Sequence, residues 1–295
     1  MVATRSRCGA SLTVCAVAAL AVMTAAQTPA FSYTTVDFPG ATLTSVFGIN
    51  AGGEVVGIYR DAKRETHGFV RRGEMFVSID FPGALATVAR GISPSGDIVG
   101  SYRFAGEPEG NAHGYVFNRQ GGFSKIDAPG HISTVAVRLL ANGTIVGCFH
   151  DTEPMQMHGM RFAGNKVSGF DRGASMHTGA TPDGKKIVGF YTDMGDVKRD
   201  RAYLLEGATF TPFDVPGSSA SSAQDINPSG AIVGTYRDPA GKTHGFIREG
   251  SQFTTIDVPA ATTTNAQGIN PGGTVVGSFG DASGATHGFV ANRKR

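Results

Sequence analysis

The chain has 295 residues, with 26 Lys and Arg against 24 Asp and Glu for a formal net charge of +2. At 40% hydrophobic and 17% charged residues it is not an intrinsically disordered chain. Its near balance of charge removes the electrostatic basis for nucleic acid or an acidic membrane surface as main partner.

In chain order, residues 1–26 stand apart from the rest of the chain. Arg5 and Arg7 precede the uncharged run SLTVCAVAALAVMTAA, and small residues follow at Ala26 and Ala30. A positive n-region, an apolar stretch too short for a membrane span and a small-residue cleavage site predict a secretory signal peptide over 1–26. Cleavage is expected after Ala26, with Ala30 as a second position, and 27–30 forms a short linker. A lipoprotein is disfavoured because Val14 precedes Cys15 where a small residue is needed. The expected location is secreted or periplasmic, with no integral membrane segment after cleavage. Removing the leader takes away two of the 26 basic residues and no acid, leaving 24 against 24. Cys8 and Cys15 leave with it, so Cys148 has no intramolecular disulfide partner.

From residue 31 to 295 one unit recurs six times, marked by Val56-Gly57, Val99-Gly100, Val146-Gly147, Val188-Gly189, Val233-Gly234 and Val276-Gly277. The steps between them are 43, 47, 42, 45 and 43 residues, the period of an array of supersecondary units. Each unit holds four short β-prone runs, exemplified by TTTNAQGIN, GTVVGSF, THGFVA and QFTTIDV. The first two are joined by the turns NAGG, SPSG, ANG, TPDG, NPSG and NPGG, whose glycines supply the positive φ of a tight hairpin. No helical periodicity appears. Four antiparallel strands per repeat predict the blade of a β-propeller. The array opens on a lone strand, FSYTTVDF, and closes on HGFVANRKR without its fourth. We therefore expect an all-β, six-bladed propeller of four-stranded antiparallel blades over 31–295. Its N-terminal strand would complete the last blade and close the ring.

The run VVG predicts a middle strand buried on both faces, its glycine allowing close approach by the adjacent blade. An aromatic follows in all copies (Tyr59, Tyr102, Phe149, Tyr191, Tyr236 and Phe279), which suits core packing better than six stacked sugar platforms. Asp37, Asp80, Asp127, Asp171, Asp214 and Asp257 recur, as do His67, His113, His158, His244 and His287, with Arg201 at the histidine position of the fourth copy. A second acid stands at Asp61, Asp151, Asp193, Asp238 and Asp281, replaced by Phe104 in the second copy. Carboxylate and imidazole at fixed spacing could serve metal or acid–base chemistry. Six equivalent copies around a ring cannot be one active site, and arginine is a poor metal ligand. A structural role is expected, with at least four of these histidines within hydrogen-bonding reach of an Asp or backbone group of their own blade.

The pattern GIN-x-x-G-x-V-V-G-x-Y-x-D followed by T-H-G-F, with HGF at 67–69, 244–246 and 287–289, resembles the HAF repeat of bacterial extracellular proteins. The resemblance covers the whole mature chain, implies secretion and β repeats, and adds no catalytic residue. Copies three and four depart from it at His158-Gly159-Met160 and Arg201-Ala202-Tyr203, and again where GIN becomes Arg138-Leu139-Leu140 and Gly179-Ala180-Thr181.

Those two copies hold the candidates for specific chemistry. CFHDTEPMQMHGM gathers Met155, Met157, His158 and Met160, soft ligands that would suit copper, although drift among gap-filling methionines explains them as well. His131, His150 and His177 are the histidines off the repeat lattice and the first place to look for binding or catalysis. No nucleophile elbow or metalloprotease motif is present. The expectation is a monomeric, non-catalytic module with no cofactor and no nucleic-acid partner, binding a protein or glycan. A propeller hydrolase or lyase on the loops of copies three and four, and a structural surface or matrix protein, are the alternatives.

Overall fold

A computed structural model describes residues 31–108, 110–151 and 156–294. The expected signal peptide and linker lie outside the described residues, as does Met155.

The described residues form 24 strands. The first is β1 (Phe31–Val36). Blade I follows as β2 (Leu43–Ile49), β3 (Val55–Arg60), β4 (Thr66–Arg72) and β5 (Met75–Ile79). Blade II is β6 (Ala86–Ile92), β7 (Ile98–Arg103), β8 (His113–Phe117) and β9 (Phe123–Ile126). Blade III is β10 (Ser133–Leu139), β11 (Ile145–His150), β12 (Met157–Ala163) and β13 (Lys166–Phe170). Blade IV is β14 (Ser175–Ala180), β15 (Lys186–Asp193), β16 (Arg199–Glu206) and β17 (Thr209–Phe213). Blade V is β18 (Ala220–Ile226), β19 (Ile232–Arg237), β20 (Thr243–Glu249) and β21 (Gln252–Ile256). Blade VI contributes β22 (Thr263–Ile269), β23 (Val275–Gly280) and β24 (Thr286–Arg293), and β1 pairs antiparallel along β24, with Phe31 opposite Arg293 and Val36 opposite Gly288.

Within each blade neighbouring strands are antiparallel, and in blades I to V they follow chain order from the axis outward, while β1 is the outermost strand of blade VI. The inner strands β2, β6, β10, β14, β18 and β22 touch in succession, and β22 meets β2 again. The core lies between blades rather than within one. Val56, Val70 and Ile79 of blade I pack on Ala89, Ile98 and Tyr115 of blade II, and the same arrangement recurs at every interface. It includes the one where Val36 and Val276 of blade VI meet Val46 and Phe69 of blade I. Fully buried side chains of this size stabilise by roughly 1.5–3 kcal/mol each.

The sequence explains each local choice. Alternating apolar residues on the inner strands present one set to the next blade, while the VVG strand is buried on both sides, Val55 at 1% and Val56 at 0% exposure. The glycine of VVG is required for a different reason from the one expected. A Cβ at Gly57, Gly147 or Gly277 would stand 1.8–1.9 Å from the carbonyl oxygen of Ser45, Val135 or Asn265. The close approach therefore comes from the inner strand of the same blade, not from the adjacent one. A second repeated device is a hydroxyl at the start of the inner strand. Thr44, Thr87, Thr134, Ser221 and Thr264 accept the N–H of Phe38, Phe81, Ala128, Val215 and Val258, pinning five of the six crossing loops to the next blade.

Candidate functional site: the central channel

Every inner strand carries a β-bulge at the same place, a register shift spanning Val46/Gly48, Ala89/Gly91, Ala136/Arg138, His177/Gly179, Ala223/Asp225 and Ala266/Gly268. A bulge leaves one residue without a ladder partner and turns its backbone away from the strand. The residues so placed, Phe47, Arg90, Val137, Thr178, Gln224 and Gln267, ring the axis. The position after the bulge is Gly48, Gly91, Gly179 and Gly268 in four copies. A Cβ at Gly91 would meet the Val137 carbonyl oxygen at 2.2 Å, and one at Gly179 the Asp225 Cα at 2.6 Å, so the ring is close-packed there.

The other two copies carry Arg138 and Asp225, 87 residues apart, and these meet. Arg138 Nη2 lies 3.2 Å from Asp225 Oδ2, with side-chain exposures of 12% and 9%. Arg138 Nε donates to Asp225 Oδ1 at 3.3 Å. Arg138 Nη1 donates to the carbonyls of Arg90 and Val137, each at 3.0 Å, and Nη2 to those of Phe47 at 3.4 Å and Gln267 at 3.3 Å. Asp225 accepts the N–H of Ile269 at 3.1 Å and of Ile226 at 3.0 Å. One guanidinium and one carboxylate thus join blades I, II, III, V and VI at the axis. Arginine suits the place because its planar fork of donors can serve several carbonyls and a carboxylate together.

This pair stands between two recesses. On the side of the β2–β3 type hairpins is an apolar funnel of about 100 Å³, with Ile92, Leu140, Ile226, Pro182, Pro228 and Pro271 in its wall and Arg138 and Asp225 in its lining. Asn227 Nδ2 donates to the Asn270 carbonyl at 3.4 Å, and Asn270 Nδ2 to that of Asn50 at 3.5 Å, tying three hairpins together. The second recess, about 230 Å³, is lined by the bulge residues with Met176 and Phe190.

The repeated polar residues lie away from the axis. His67, His113, His158, His244 and His287 each bond through Nδ1 to the Asp of their blade, namely Asp80, Asp127, Asp171, Asp257 and Asp37. Nε2 of each approaches a second carboxylate, at Asp61 3.9 Å, Glu107 2.8 Å, Asp151 2.8 Å, Asp238 3.4 Å and Asp281 3.5 Å. Where Phe104 stands at the usual acid position, Glu107 supplies the carboxylate from three residues further on, and it also accepts the Phe104 N–H at 2.7 Å. In blade IV Arg201 spans the equivalent pair, Asp214 at 2.9 Å and Asp193 at 3.3 Å. Each imidazole stacks on the repeated aromatic of its blade, as His67 does on Tyr59 at 4.9 Å. Burial works against charge on His113 and His287, but their bonds to Glu107 and Asp127, and to Asp37 and Asp281, outweigh it and raise both pKa values.

The off-lattice histidines have different surroundings. His131 bonds Asp151 at 2.9 Å and packs on Phe149, extending the blade III lattice by one member. His150, at the end of β11, is half-buried, and burial followed by the nearby His158 lowers its pKa. His177 is 1% exposed, in the core place that Ala89, Ala136, Ala223 and Ala266 hold elsewhere. Its Nδ1 is 2.5 Å from the Tyr203 hydroxyl, which itself donates to the Met176 carbonyl. Burial, then the nearby Arg161, pushes its pKa down to about 3. Met160 is in the core, Met157 is half-buried and both nitrogens of His158 face carboxylates. Cys148 is buried with its thiol pushed up to about 12 by desolvation, an unreactive core residue. Among the described residues, Asp61, Glu65 and His67 are three whose ligand atoms lie within 4.8 Å of one another, on the rim of blade I.

Of the channel pair, Arg138 stands out in the sequence as a departure from GIN, whereas Asp225 does not because the Ile and Asn after it keep the repeat. The signal of the pair was the four glycines interrupted by one cation and one anion at the same repeat position.

No family model and no curated protein matches the chain. Solved structures resemble it in fold. The β-propeller domain of the Trilobed protease from Pyrococcus furiosus aligns at TM-score 0.52 and 13% identity over 86% of this chain and 95% of that one. The Aleuria aurantia lectin in complex with Fucalpha1-6GlcNAc aligns at 0.53 and 11% over 85% and 93%. Pyrococcus horikoshii acylaminoacyl peptidase aligns at 0.52 and 11% over 86% of this chain and 52% of that one. At these identities the likeness establishes the β-propeller fold and nothing finer. No helix of the described residues is long and apolar enough to cross a membrane.

Proposed function

We propose that the mature chain is a single extracytoplasmic six-bladed propeller, latched by β1, that binds a protein partner at the hairpin-side mouth of its channel without catalysis. The observation that carries this reading is the apolar funnel lined by prolines and aliphatic side chains, with the Arg138–Asp225 pair within it. Such a recess accepts one apolar side chain, while the paired charges and the peptide groups of the rim orient the backbone that delivers it. In the repeated lattice the imidazoles are engaged by carboxylates and aromatics, which supports a scaffolding role for Asp37, Asp80, Asp127, Asp171, Asp214, Asp257 and their histidines. The HAF-repeat likeness remains part of the proposal and is consistent with secretion. The lectin neighbour keeps a glycan as the second candidate ligand.

The test is a panel of short apolar peptides and of glycans, titrated against the mature protein and against Ala141→Arg, a change at an exposed position on the funnel rim. Peptide binding that falls at least tenfold in the variant, with an unchanged melting curve, is the expected result. Peptides that do not bind, or that bind both proteins alike, overturn the reading, and glycan binding insensitive to Ala141→Arg would move the site elsewhere.

A further inference from the structure

The recess on the far side of Arg138 has a chemistry of its own. Arg90, a bulge residue of β6, is half-buried there, and its guanidinium lies 5.7 Å from the centre of the Phe47 ring. Its Nε is shielded from solvent and has no hydrogen-bond partner among the described residues. No described carboxylate lies within ion-pairing distance of it, although all the repeated histidines and half of the other described arginines have such partners. A half-buried guanidinium with no ion-pair partner and one shielded, unpartnered N–H is costly. Asp225 does not meet the need, since Arg138 and two backbone N–H groups already take its oxygens. Arg90 and Arg138 against Asp225 leave the axis with one uncompensated positive charge.

The walls say what could supply the missing anion. Phe47, Met176 and Phe190 are apolar, and the Gln267 side chain makes no hydrogen bond among the described residues. A doubly charged phosphate would be undercompensated by one free guanidinium in such surroundings. A carboxylate carries one charge, matches the guanidinium fork with two oxygens, and can place an apolar body against the aromatic walls. The recess, about 230 Å³, limits that body to a few carbon atoms or one ring.

We propose that this recess is an anion site for a carboxylate bearing a small apolar group, held by Arg90 and Gln267, as a free acid or as the C-terminus of a peptide. It lies at the opposite mouth from the peptide funnel, so failure of either proposal leaves the other intact.

The experiment titrates the full mature protein with benzoate, with benzamide as the uncharged analogue, and with Val-Phe dipeptide carrying either a free or an amidated C-terminus. Benzoate should bind and benzamide should bind roughly 10- to 100-fold more weakly, the worth of a charge-assisted bond pair. Arg90→Met should show the same loss for benzoate, and Gln267→Leu a smaller one. The dipeptide arm separates the sources: binding of the free but not the amidated form shows that chain ends are accepted, and binding of neither restricts the site to free acids. Should Arg90→Met fail to fold, protection of Arg90 from phenylglyoxal by benzoate, mapped by mass spectrometry on the wild-type protein, decides the matter. Equal binding of benzoate and benzamide, no benzoate binding at about 10 mM, or no protection of Arg90 would each overturn the proposal.

Discussion

The rim and the axis of this molecule use the same kind of bond in opposite ways. On the rim, a donor between two carboxylates is repeated six times, five times as histidine and once as Arg201, with the groups partly in water. At the axis a single donor, Arg138, meets a single carboxylate, Asp225, at 12% and 9% exposure. The difference teaches where replacement is tolerated. Solvent screens the rim, so histidine and arginine interchange and Glu107 can stand in for an absent Asp. At the axis the two members are nearly buried, so each depends on the other to offset its desolvation.

The largest effect should come from removing the strand that carries one rim station while leaving the axis untouched. Deleting residues 31–38 strips β24 of its partner strand and removes Phe31, Val36 and Asp37. The loss should be roughly 5 kcal/mol or more, from two buried side chains and a ladder of backbone bonds. An unchanged urea midpoint would refute the latch.

Next in size is the axis itself. Arg138→Ala should cost about 3–5 kcal/mol, because Asp225 and four carbonyls lose their donor. Replacing both residues with the glycine found in the other copies should cost less than Arg138→Ala alone. A double-mutant cycle by urea denaturation measures the coupling, and additive losses would show that the pair is not a unit.

A third comparison sets a core histidine against a rim histidine through pH. His177 has a folded pKa near 3 and an unfolded one of about 6.5, so the unfolded chain takes up its proton first as pH falls. Relative to His177→Ala, the wild type should therefore lose about 1.4 kcal/mol per pH unit below about 6.5, until the folded histidine itself titrates. At pH 8 the variant should instead be the weaker protein, through the space left beside Tyr203. Parallel stability curves from pH 4 to 8 would contradict the assignment.

The smallest effect belongs to the rim. His287 is raised in pKa, so its stabilisation is present in full below about 6.5 and is lost as pH rises through the folded value. His287→Gln should cost about 1 kcal/mol or less, more at pH 5.5 than at pH 9. His287→Arg, copying blade IV, should retain the bond at both. Thermal melts at the two pH values provide the check.

The blades were legible because turn glycines, alternating strands and the VVG core are local demands that every copy must meet. The orphan opening strand pointed to its partnership with β24, and Arg201 at a histidine position pointed to a donor bonded to the repeated Asp, whereas the second carboxylate at each donor was not foreseen. Glu107 was not foreseen, since a loop three residues longer in reach leaves no periodic trace. His177 was singled out for possible chemistry and proved to be core, because only the packing shows that it fills an alanine's place beside Tyr203.

The sequence by itself determined the repeat, the four-strand unit and the incomplete units at its two ends, all set by short-range conformational preference and burial. Only the tertiary structure decided that Arg138 and Asp225, each an isolated departure from glycine, face one another across the axis, and that Arg90 pairs with no carboxylate among the described residues. Distances across a ring depend on the summed packing angles of every blade, and no pattern within a single repeat encodes that sum.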